Sequence, residues 1–167
     1  MCLDERIDAV SHTIGPLRIT PMTQAEAEDI ATWAYAEPYS FYDPRSDDDD
    51  LAELLDPELR GDAYFSAHDE NGELIGFFQF ERAGEVVDVG LGLRPDLTGH
   101  GLGLAYVHSG LDFARERFAP RKFTLSVAAF NERAITVYER AGFAATRSYA
   151  HETNGGIHAF VEMERPR

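Results

Sequence analysis

The chain has 167 residues, with 15 Lys and Arg against 30 Asp and Glu and a formal net charge of -15. That length suits one domain with a sizeable core, and a field of that sign repels polyanions and argues against nucleic acid as a partner. The single cysteine, Cys2, excludes an internal disulfide and a cysteine metal cluster, and no apolar run approaches the roughly 20 residues of a membrane span.

The first residues, "MCLDERIDAVSHTIG", are acidic where a signal peptide would be basic and then apolar, so a cytoplasmic location is expected. Residues 1–16 read as an N-terminal extension and 17–167 as one domain. "LRITPMT" reads as a short strand. "TQAEAEDIATWAYA" follows with Ala27, Ile30, Ala31 and Ala34 at helical spacing, and Thr23 with Glu26 has the pattern of a capping box. "EPYSFYDPRS" is an aromatic loop bounded by prolines. "DDDDLAELLD" suggests a second helix whose N-terminus welcomes the acids Asp47 to Asp50, a capping role preferred here to a cation site.

"AYFSAHDENGELIGFFQFE" holds two strand-like runs joined through Asn71-Gly72, a hairpin signal. "EVVDVGLGLR" is a further strand and leads into a glycine loop and a long amphipathic helix with Leu104, Val107, Leu111, Ala114 and Phe118 inward. Strand "KFTLSVA", helix "NERAITVYERAG" and a closing strand pair around Asn154-Gly155-Gly156 complete the chain. The expected fold class is α/β in the α+β sense: a mixed, mostly antiparallel central sheet flanked by helices, with one strand–helix–strand unit in its middle.

Glycines at alternate positions, Gly99, Gly101 and Gly103, let backbone N–H groups converge on an anion ahead of a helix N-terminus. A dinucleotide fingerprint fails, because the sixth place is Leu104 or Tyr106, and no Lys follows to make a nucleoside-triphosphate loop. A purely structural turn stays open for the glycines alone.

Thr98-Gly99-His100-Gly101-Leu102-Gly103, between a strand and a helix, resembles the acetyl-CoA pyrophosphate loop of the GNAT superfamily of N-acetyltransferases, patterned Gln/Arg-x-x-Gly-x-Gly/Ala. Thr98 departs from the usual Gln or Arg. Asn131, Ala134, Tyr138, Gly142 and Phe143 match a second family block, Asn-x-x-Ala-x-x-x-Tyr-x-x-x-Gly-Phe. The branch resembled is bacterial and like the ribosomal-protein acetyltransferases. The resemblance implies a GNAT-like acyl-CoA N-acyltransferase fold and acetyl-CoA as cosubstrate, with its pyrophosphate on residues 98–103 and Leu104.

On the same ground the backbone of Leu91 would face the acetyl carbonyl, that of Leu93 would pair with pantetheine, and Asn131 would support the cofactor. Tyr138 would give a proton to the leaving thiolate. Asp88, the one acid in "VVDVGLGL", occupies the strand position where many such members carry a Glu, and is the candidate general base. Asp88, Gly90 and Gly92 share a face by alternation, bare enough to admit a pantetheine arm. Structural alternatives stand beside these roles: Asn131 as N-cap, Gly142 as the left-handed helix end, Tyr138 as a core aromatic, Asp88 as a solvent-facing acid and His100 as an exposed loop residue.

No histidine spacing suits a metal, so none is assigned. Tyr39 and Tyr42 in "WAYAEPYSFYD" are the candidates for an acceptor wall. The expected activity is direct acetyl transfer to a primary amine, small or peptidic. Protein N-terminal or lysine acetylation is the alternative, and an acyl-CoA sensor without turnover the alternative of another class. A homodimer is compatible with the resemblance, and neither nucleic acid nor membrane is expected as a partner.

Overall fold

The structure, a computed structural model, describes residues 14–167; Cys2 and most of the expected N-terminal extension lie outside the described residues. Seven strands form one sheet in the order β1-β2-β3-β4-β5-β7-β6. They are β1 (Arg18–Pro21), β2 (Tyr64–His68), β3 (Leu74–Ala83), β4 (Val86–Leu93), β5 (Lys122–Ala128), β6 (Ala144–Thr153) and β7 (Gly156–Pro166). Every neighbouring pair is antiparallel except β4 with β5, joined by the crossover helix α4 (Gly103–Phe118). This matches the mixed, mostly antiparallel sheet expected from the strand–helix–strand pattern.

Local signals place most elements. Helix α1 (Gln24–Ile30) starts at Thr23, whose hydroxyl accepts from the Glu26 N–H at 3.2 Å while Glu26 accepts from the Thr23 N–H at 2.9 Å. The helix ends sooner than its apolar spacing predicts: Ala34 is exposed, and Trp33 turns into the core against Phe77. Helix α2 (Asp48–Leu55) is capped by Asp47, which accepts from the N–H groups of Asp49 and Asp50, so the acidic run caps a helix as expected. Helix α3 (Pro57–Arg60) is one turn. Asn154 and Gly155, both at positive φ, close the β6–β7 hairpin.

Two cores sandwich the sheet. On one face α4 and helix α5 (Glu132–Arg140) cover Phe65, Phe78, Phe80, Phe123 and Leu125; on the other Trp33, Ile30 and Leu54 pack under α1 and α2. Ile14 and Leu17 reach the first core. No helix among the described residues is long and apolar enough to cross a membrane.

Candidate active site

Strands β4 and β5 pair at only three positions, Val86 with Lys122, Val87 with Phe123 and Asp88 with Thr124. Beyond these β4 stays with β3 as far as Leu93 opposite Gly76, while β5 stays with β7 as far as Ala128 opposite Phe160. The sheet therefore opens in its middle. The Arg94 N–H donates to the Ile75 carbonyl at 2.8 Å, which makes Leu93–Gly76 a pair without mutual hydrogen bonds. The backbone polar groups of Leu93, and of Leu91 two residues earlier, then point away from β3 into the opening.

A cavity of about 420 Å³ occupies this opening, within the size range of small-molecule sites. At one end lies the glycine loop. Gly99 and Gly101 both hold φ +76°, a left-handed backbone that Gly adopts without strain. Helix α4 begins at Gly103 with no side-chain cap, and its first bond runs from the Tyr106 N–H to the Leu102 carbonyl. The N–H groups of Gly103, Leu104 and Ala105 precede that bond and remain donors at the positive end of the helix. The Thr98 hydroxyl bonds the Pro95 carbonyl at 2.7 Å, so it serves its own loop. His100 is exposed and does not line the cavity.

At the start of α5 the Asn131 side chain accepts from the Ala134 N–H at 3.1 Å, the N-cap role its position suggests, and the residue also lines the cavity. Two turns on, Tyr138 enters the cavity wall with its ring edge against Phe143. Its hydroxyl has no hydrogen-bond partner among the described residues. Burial, with the Tyr42 hydroxyl adding to it, pushes Tyr138 well above the usual phenol range, so it keeps its proton.

Asp88 stands at the last paired position before the opening, where its carboxylate accepts from the Thr124 hydroxyl at 2.6 Å. It is exposed on one side and does not line the cavity; Gly90, two residues on and about 7 Å along the strand, does. Partial dehydration raises its carboxyl above the ordinary value, Thr124 opposes this, and the charges of Glu81 and Glu162 add to the rise. The bare face expected at Gly92 is taken: a Cβ there would collide with the Phe77 ring.

Three tyrosines in and just before the aromatic loop, Tyr35, Tyr39 and Tyr42, line the cavity. Tyr35 donates to the Leu93 carbonyl at 2.8 Å, so one of the backbone groups expected to meet pantetheine is already engaged. The Ala128 N–H donates to the Tyr42 hydroxyl at 3.2 Å, and Tyr39 carries the guanidinium of Arg133 at 4.0 Å from its ring centre. Sequence reading singled out neither Arg133 nor Ser126, which also line the cavity. The nearest signal for Arg133 was its place in the first turn of α5.

The sequence profile of the acetyltransferase (GNAT) family matches residues 26–143, which include β4, the glycine loop and α5. The chain belongs to that family. Among relatives of this GNAT chain, the mycothiol acetyltransferase of Streptomyces coelicolor is 41% identical over 97 residues, covering 55% of this chain and 29% of that protein. The mycothiol acetyltransferase of Streptomyces griseus is 34% identical over 148 residues, covering 80% of this chain and 46% of that protein. The chain thus spans less than half the length of these relatives. The spermidine N-acetyltransferase of Vibrio cholerae in complex with CoA and spermine superposes with a TM-score of 0.72 at 21% identity, over 90% of this chain and 95% of that one. A GNAT-family acetyltransferase of Bacillus anthracis gives 0.72 at 12% identity, over 92% and 96%. These likenesses establish that the fold is that of the GNAT acyltransferases.

Proposed function

We propose that this chain is an acetyl-CoA-dependent N-acetyltransferase acting on the primary amine of a small molecule. The observation that carries the reading is the parting of β4 from β5 beyond Asp88 and Thr124, with the glycine loop at one end of the cavity and Tyr138 in its wall. Acetyl-CoA, bound there, supplies an activated acyl group and a thiol leaving group. The uncapped first turn of α4 and the left-handed glycines fit its pyrophosphate, and the backbone edge at Leu91 fits an extended pantetheine arm. A helix end without a side-chain cap leaves its first N–H groups to water or to a ligand.

The residues divide the proton work. Tyr138, held protonated, donates toward the departing sulfur. Asp88 draws the proton from the incoming ammonium through water, since Gly90 rather than Asp88 itself meets the cavity. The Thr124 hydroxyl orients the carboxylate through its 2.6 Å bond. Tyr42 and Tyr39 line the same cavity. The net charge of -15 favours a cationic amine over an anionic acceptor. The reading includes action in the cytoplasm, one domain over 17–167 and self-association; a V. cholerae spermidine N-acetyltransferase is described as dodecameric.

The test is thiol release from acetyl-CoA, with mass analysis of product, across spermidine, spermine, the acceptor of the mycothiol acetyltransferases, aminoacyl peptides and basic proteins. Turnover with a small amine supports the reading. Turnover confined to proteins replaces the acceptor class, and tight coenzyme A binding with no turnover on any acceptor favours the sensor.

A further inference from the structure

We propose that Arg133 is a side-chain ligand of the cofactor's pyrophosphate, held in place by the ring of Tyr39, and that it supplies the positive charge the glycine loop lacks at Thr98. The inference rests on the reading of the cavity as a coenzyme A site. Among the described residues that line the cavity, Arg133 is the one charged side chain. Its Nη1 lies 3.6 Å from where a Cβ on Gly99 would stand, so the guanidinium borders the loop at its first left-handed glycine. Thr98, at the place where the family pattern has Gln or Arg, turns its hydroxyl to Pro95 and offers the cavity no side-chain donor.

The way Arg133 is held leaves its donors available. Its guanidinium sits 4.0 Å over the Tyr39 ring, a contact to the π face that consumes no N–H group. Among the described residues no carboxylate pairs with it, whereas Arg82, Arg94, Arg115, Arg121 and Arg147 each meet one. Its place in the fold is unfavourable for a cation, because the second residue of α5 lies at the positive end of that helix. Helix energetics therefore do not account for an arginine there. An anion between the N-termini of α4 and α5 does. In a chain of net charge -15 a polyanionic ligand also needs local positive charge against the long-range repulsion.

Tyr39 consequently acts on the cofactor side of the cavity, as the platform for Arg133, rather than as a wall of the acceptor pocket. Planarity matters for both contacts: a guanidinium can lie flat on a ring while its edge presents paired N–H groups to phosphate oxygens.

Calorimetric titration with coenzyme A, dephospho-coenzyme A and acetyl-pantetheine tests this. Arg133→Gln is expected to weaken the first two alike, by about 10-fold for a charge-assisted contact at a partly open site, and to leave acetyl-pantetheine unchanged. Arg133→Lys should fall between, and Tyr39→Leu should repeat the pattern at a smaller size. Unchanged coenzyme A affinity in Arg133→Gln overturns the proposal. A loss confined to coenzyme A moves Arg133 to the 3′-phosphate, and an equal loss for acetyl-pantetheine makes its role structural; both overturn the assignment. Unchanged affinity in Tyr39→Leu overturns the platform. A parent protein that binds neither nucleotide ligand defeats the cofactor reading itself, a separate outcome from these.

Discussion

Tyr35 and Tyr42 hydrogen-bond the two strands that part at the centre of the sheet, Tyr35 to the Leu93 carbonyl of β4 and Tyr42 to the Ala128 N–H of β5. One short loop thus braces both walls of the cavity. Tyr42→Phe removes the acceptor of the Ala128 N–H, a part-buried donor, and is expected to cost about 1–2 kcal/mol. Thermal denaturation measures this as a fall of about 2–8 °C in Tm for a domain of this size. An unchanged Tm would mean that water takes over the contact.

Tyr138→Phe removes one hydroxyl that has no partner among the described residues, so stability and coenzyme A affinity should hold. Turnover is expected to fall about 10- to 1000-fold if proton donation to the leaving sulfur limits the rate. Steady-state kinetics with calorimetry separates the two readouts. Turnover equal to the parent under conditions where chemistry limits would leave Tyr138 a packing residue.

Asp88→Asn keeps the shape and the Thr124 contact but removes the base. The activity of the parent should rise with pH through a limb lying above the ordinary aspartate range, because burial and the charges of Glu81 and Glu162 lift this carboxyl. The variant should lack that limb, lose about 100-fold at neutral pH and recover at high pH as free amine accumulates. Stability should move the other way. A carboxyl raised in the fold contributes fully below the ordinary value of 3.8 and loses that contribution as pH rises through the folded value. At neutral pH the Asn variant is therefore expected to equal or exceed the parent in stability, with the difference closing on acidification.

Gly101→Val isolates the backbone of the loop. A Cβ at Gly101 meets nothing within 4 Å, so the substitution creates no clash with the fold, only the strain of φ +76°. That strain is about 1–2 kcal/mol for a side chain in the left-handed region, more for a β-branched one. Relief of it requires the loop to turn over, which redirects the N–H groups. Coenzyme A affinity should drop by about 10-fold or more. Retained affinity would show that the loop is only a turn.

The elements that depend on near neighbours were legible in the chain. The Thr23–Glu26 box, the Asp47 cap, the Asn154-Gly155 turn, the Asn131 cap and the left-handed Gly142 each rest on backbone chemistry within a few residues. The period of the apolar positions likewise carried the strand–helix–strand unit and, with the two family blocks, the fold. What the pattern misjudged was the end of α1: the helix stops at Ile30 and Trp33 packs on Phe77, a contact that no local signal reports.

The site itself was decided by tertiary structure. Periodicity says which face a residue occupies and nothing about where two strands stop pairing, so the opening beyond Asp88 and Thr124 could not be read from either strand. The Tyr35 bond to Leu93 joins residues 58 positions apart, and Tyr42 reaches Ala128 across 86. Phe77 fills the face that Gly92 leaves bare, and Tyr39 meets Arg133 from another loop. Sequence alone determined the glycine loop and the helix behind it, because left-handed glycines ahead of a helix start are a local property. Which charges, hydroxyls and walls surround that loop follows only from how distant segments pack, since each depends on the place of both partners at once.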